Sequence, residues 1–121
     1  MAVEAPLTFD ATGVKTAGIT HGVDASQIVL TVAGDYKVTF SVSGVEPNQM
    51  ALFLNGSAIA GAVYGSGAGT QPNVGQAILR AGAGDLLTLV NHSSAAAVTL
   101  QANAGGTQAS VNASVLIEKL N

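Results

Sequence analysis

The sequence predicts an all-β protein, an antiparallel two-sheet sandwich, and three observations carry that prediction. Tyr36, Val38, Phe40 and Val42 alternate with Lys37, Thr39 and Ser41, which gives one strand an apolar face and a polar face. Asn55-Gly56 stands between two apolar runs, the strongest short-range hairpin cue because both residues accept positive φ. Glycines and β-branched residues recur throughout, and no amphipathic helix with caps interrupts them.

The strands follow in order. Leu7 to Phe9 and Val14 to Ile19 are short runs that open the chain. Gln27 to Val32 supplies an antiparallel partner for Tyr36 to Ser43 across the turn Ala33-Gly34-Asp35. Glu46-Pro47-Asn48 ends that pair, and Gln49 to Asn55 and Ser57 to Tyr64 flank the Asn-Gly turn. After the flexible Gly65-Ser66-Gly67-Ala68-Gly69 loop come Asn73 to Arg80 and, beyond Gly82-Ala83-Gly84, Asp85 to Asn91. Val98 to Ala102, the loop Gly105-Gly106-Thr107-Gln108, and Ser110 to Leu120 complete about ten strands. Ala60, Ala62, Ala77 and Ala95 to Ala97 favour helix on propensity alone, but their glycine and β-branched neighbours override it. A sandwich, jelly roll or barrel fits this pattern. An immunoglobulin-type core fits less well, since tryptophan and cysteine are both missing.

Composition restricts function. A chain of 121 residues reads as one domain, 1–121, large enough to bury a core without metals or staples. Without cysteine there is no disulfide framework, thiolate metal site or cysteine nucleophile. Four Lys and Arg against seven Asp and Glu leave no basic stripe, so nucleic acid is not an expected partner. No apolar run approaches the roughly 18 residues that span a bilayer, so no membrane insertion is expected. Only 9% of residues are charged, against about 25% in ordinary soluble domains. Either small polar residues cover the exterior or part of it is buried against other subunits, and the second reading matches the charge depletion of interface cores. Met1 to Pro6 shows no basic region followed by an apolar stretch, and strand-like sequence begins almost at once, as in a domain taken from a longer protein.

Several segments together resemble a known family. They are Asp24-Ala25 leading into Ile28-Val29-Leu30; Gly34-Asp35-Tyr36-Lys37-Val38-Thr39 with its Gly-x-Tyr start; Leu52-Phe53-Leu54-Asn55-Gly56; Gly84-Asp85-Leu86-Leu87-Thr88-Leu89; and the ending Ala113-Ser114-Val115-Leu116-Ile117-Glu118-Lys119-Leu120. Their order over nearly the whole chain resembles the C-terminal domains of the collagen-like exosporium glycoproteins of Bacillus, whose broader relatives are the globular heads of complement and tumour-necrosis-factor proteins. The resemblance implies a ten-stranded jelly roll that forms a homotrimer at the tip of a collagen-like stalk on the spore surface, the exosporium. It implies a structural and assembly head, with host or complement proteins or glycans as partners for surface recognition. The alternative is a lectin-like or receptor-binding module on the same fold, suggested by the polar loop Gly65 to Asn73. Leu79, Leu116 and Leu120 are the expected trimer-interface residues, and Tyr36, Val38, Phe40 and Val42 the expected core.

No catalytic, cofactor-binding or metal-ligating residue is expected. His92 beside Ser93 and Ser94 could suggest acid-base chemistry, but adjacency does not orient a triad, and both His21 and His92 read as turn histidines. Asp10, His21 and Asp24 carry donors suited to a hard cation yet lack a ligand-dense spacing. Asp35 and Asp85 follow glycines at strand starts, where a carboxylate accepts backbone amides. Sequons at Asn55, Asn91 and Asn112 read as accidental, and Asn55 already has a turn role.

Overall fold

The computed structural model describes residues 1–121. It contains eight strands and no helix: β1 (Ile19–His21), β2 (Ile28–Leu30), β3 (Gly34–Val42), β4 (Asn48–Leu54), β5 (Ser57–Ser66), β6 (Asn73–Ala81), β7 (Asp85–Asn91) and β8 (Ala113–Lys119). They form a five-stranded sheet in the order β1-β2-β7-β4-β5 and a three-stranded sheet in the order β6-β3-β8. Every pairing is antiparallel. Three pairings are nested in sequence, β4 with β5, β3 with β6, and β2 with β7.

The innermost pair is closed by the turn foreseen from sequence. Asn55 and Gly56 have φ of 52° and 81°, the positive values that a two-residue hairpin turn requires. The turn is also tied down, because the Leu86 amide donates to Asn55 Oδ1 at 2.9 Å and the Asn55 amide donates to the Leu86 carbonyl at 2.8 Å.

The inner face of β3 is the centre of the core: Tyr36, Val38, Phe40 and Val42 are all fully buried, and they meet Leu30, Met50, Leu52, Leu87 and Leu89 from the larger sheet. One joint between the layers is aromatic. Phe40 stands edge-on to Tyr64 of β5, with centroids 5.8 Å apart, and both rings occupy the space above Gly75, the cross-strand neighbour of Phe40. A Cβ at Gly75 would fall 2.4 Å from Phe40 Cζ and 2.4 Å from Tyr64 Cδ1, so this position has no room for a side chain.

The structure has eight strands where the sequence suggested about ten. Leu7 to Phe9 contributes only the bridge Phe9–Ala25, with Pro6–Val90 just before it, Val98 to Ala102 only the bridge Gly44–Leu100, and Val14 to Ile19 forms no strand before Ile19. A strand needs a ladder as well as a pattern, and these segments make scattered backbone bonds rather than a continuous ladder. The first of them still has a structural role. Where β2 stops, residues 4–7 take up the free edge of β7: the Glu4 amide donates to the Asn91 carbonyl at 2.7 Å, the Asn91 amide to the Ala5 carbonyl at 3.0 Å, and the Leu7 amide to the Leu89 carbonyl at 2.7 Å.

Candidate functional site: the outward face of the smaller sheet

The register of β6, β3 and β8 determines which side chains face away from the core. Ile78, Lys37 and Glu118 form one cross-strand row; Gln76, Thr39 and Leu116 the next; Val74, Ser41 and Ser114 the third; and Arg80 pairs with Asp35 at the end. Ile78 is 68% exposed, Leu116 69% and Val74 54%. Three large aliphatic side chains thus stand open on one face of the smaller sheet.

The charges on that face cancel. Asp35 and Arg80 form a two-point ion pair, with Arg80 Nε 2.8 Å from Asp35 Oδ1 and an Arg80 terminal nitrogen 3.3 Å from Oδ2. The Arg80 guanidinium, helped by Asn121, holds the Asp35 carboxyl below the usual carboxylate range, and Asp35 in turn raises the Arg80 pKa. Lys37 sits directly across from Glu118 in the register. Two acids and two bases thus balance around Val74, Ile78 and Leu116, so the face carries no net charge.

Of the residues expected at an interface, Leu116 lies in this face and Leu120, 45% exposed, lies just beyond β8. Leu79 does not. It is 6% exposed and belongs to the core, because its position on β6 has the parity of Gly75, which faces the aromatic rings, while Ile78 has the outward parity. Sequence reading missed Ile78 and Val74, and it gave Asp35 only a turn role where the structure adds the ion pair with Arg80.

The histidines are engaged elsewhere. His92 Nδ1 lies 2.7 Å from Glu4 Oε1, and the second Glu4 oxygen accepts the Ser93 amide at 2.8 Å. These two contacts lower the pKa of Glu4. The Phe53 ring packs edge-on to His92 at 5.2 Å, while the Ser94 hydroxyl bonds Asn91 and Gln49, so no hydroxyl is aimed at the imidazole as a nucleophile would be. His21 is held between the Thr12 hydroxyl and the Ala25 carbonyl, each at 2.7 Å. No group of three His, Asp or Glu side chains converges to hold a metal ion, and Asp10, His21 and Asp24 do not meet. Asp85 accepts the Gly82 amide at 2.8 Å, the turn role expected of it.

No family model matches the sequence, and no curated protein is significantly similar to it.

Proposed function

We propose that the chain is a non-enzymatic jelly-roll head that assembles as a homotrimer through the outward face of β6, β3 and β8, at the tip of a collagen-like filament glycoprotein on the spore surface. The observation that carries this reading is the charge-neutral face with Val74, Ile78 and Leu116 standing in solvent. The nested pairings support the jelly-roll assignment, since a hairpin wound on itself produces such a series. The ordered motifs from Asp24-Ala25 to Leu120 support the family and, through it, the exosporium location. A trimeric head brings three stalk starts together at high effective concentration, which offsets the entropy lost when a collagen helix finds its register. The head then works as a folding nucleus, and the commitment of His92 to Glu4 is in keeping with a structural role.

Solution mass by light scattering tests the assembly. The expected result at micromolar concentration is three times the 11.9 kDa of one chain, falling to one chain in Leu116→Asp. A wild-type monomer overturns the proposal.

A second reading, recognition of a host or complement protein or a glycan, has its own observation. The Gly65–Asn73 loop is held in place, with the Ser66 hydroxyl 2.9 Å from the Ala68 carbonyl and 2.7 Å from the Gln71 carbonyl, its single proton shared between them, and Gln101 donating to the Gly69 carbonyl. A preorganised polar loop is suited to binding. Binding on a glycan or protein array that is lost when residues 67–70 are replaced would support it, and an array without any binder would remove it.

A further inference from the structure

A groove of about 870 Å³ runs along the free edge of β8. One wall is β8 itself and the other is the segment Thr8–Thr16, while the floor reaches between the two sheets to Phe9, Ile19 and Ile28. β8 pairs with β3 on one side only, so every second backbone amide and carbonyl along its seven residues lacks a strand partner.

The segment across the groove is unpaired as well. No backbone hydrogen bond involves residues 10–15, residues 10–17 are exposed without interruption, and Val14 stands wholly in solvent. Yet both ends of the segment are pinned: the Asp24 amide donates to the Phe9 carbonyl at 2.9 Å and the Ile19 amide to the Thr16 carbonyl at 3.2 Å. The nested pairings leave one place to fill, a partner for β8 that precedes β2 in sequence, and Asp10–Thr16 is the free stretch in that position. Its seven residues match the length of β8, about 23 Å when extended.

We infer that Asp10–Thr16 is a strap that closes onto β8 and adds a fourth antiparallel strand to the smaller sheet. Alternation places Thr12, Val14 and Thr16 on one face and Lys15 on the other, so closing carries Val14 into the apolar slot and leaves Lys15 in water. The shared hydrogen bond of Thr12 and His21 holds the strap open against β1, and closure replaces it with a backbone ladder. Because both ends of the strap are tethered beside the groove, its own chain outcompetes a strand from another molecule. This inference does not depend on trimer formation.

Amide hydrogen exchange on the intact chain, at a concentration where it is monomeric by light scattering, tests the strap. The expected result is slow exchange at the β8 amides that face away from β3, becoming about tenfold or more faster in Val14→Pro while the β3-facing amides stay protected. Unprotected exchange at those amides in the wild type overturns the inference. Should Val14→Pro unfold the chain, paired cysteines decide, since the natural sequence contains none: Val14→Cys is combined in turn with Val115→Cys and Ile117→Cys under mild oxidant. A disulfide within one chain supports the strap; one that forms only between chains, or none, overturns it.

Discussion

β7 and β8 have similar sequences and opposite circumstances. Leu86-Leu87-Thr88-Leu89-Val90 and Val115-Leu116-Ile117 are both aliphatic runs, but β7 lies between β2 and β4 and β8 lies at an edge. Leu87, Leu89 and Val90 are buried, whereas Leu116 is 69% exposed. Burial here follows from which face a residue occupies rather than from strand composition: Leu87 and Leu89 point between the sheets, Leu116 away from them, while Val115 and Ile117 on the inner face of β8 are half-buried against the core. Even the half of β7 that β2 does not reach is covered, by residues 4–7, while nothing equivalent covers β8. An edge strand this apolar is an aggregation hazard unless something covers it, which is why both proposals made for this molecule converge on β8.

The most direct way to break the comparison is to truncate one leucine from each strand. Leu89→Ala should lower the unfolding free energy by about 2–5 kcal/mol, and Leu116→Ala by less than about 0.5 kcal/mol in the monomer. Equal losses in denaturant melts would refute the contrast. Next in size is Gly75→Ala, where the added methyl must push Phe40 and Tyr64 apart at the joint between the layers, costing about 1–3 kcal/mol. A variant as stable as the wild type would mean that the aromatic joint can yield. Asn55→Ala should cost about 1–2 kcal/mol, since it strands the Leu86 amide and places alanine at positive φ. Replacement by glycine at the same site should recover part of the loss, as read from the thermal midpoint.

The smallest effect concerns the segment that covers β7. The Glu4 carboxyl is more acidic in the folded chain than its ordinary value of 4.5, because His92 and the Ser93 amide bond its ionised form. A depressed carboxyl pKa adds stability that is complete above the unfolded value and disappears as pH falls through the folded one. The difference in melting temperature between wild type and Glu4→Gln should therefore be present above the ordinary value of 4.5 and shrink toward zero as pH falls below it. A difference independent of pH would show that the glutamate contributes through packing alone.

Much of this fold was legible in the sequence where local chemistry specifies it. The Asn55-Gly56 turn requires two positive φ values and has them, and the alternation from Tyr36 to Val42 gave the core face directly. What escaped was whatever depends on pairing. On β6 the outward residues include Val74 and Ile78 and the inward ones Ala77 and Leu79, so both faces look apolar, and only the rings above Gly75 decide the parity. Pattern alone therefore leaves Leu79 free to face either way, and the structure turns it inward. Arg80 meets Asp35 from 45 residues away, a contact that no local pattern announces. The outward face is visible only after β3, β6 and β8 are set in register, whereas Leu116 and Leu120 could be proposed early because they sit on the last strand or just past it.

The short ladder between residues 4–7 and β7 also determines how the molecule would bear a load. Tension applied at Met1 would load its own bonds to Val98 and to the Asn91 side chain, and then the hydrogen bonds that join Glu4, Ala5 and Leu7 to Leu89 and Asn91 of β7. Tension applied at Asn121 would reach β3 through the Leu120 amide on the Asp35 carbonyl and then peel β8 from its only neighbour. The two ends of one chain are thus anchored differently, the first by a short ladder on the larger sheet and the last by a seven-residue ladder on the smaller one.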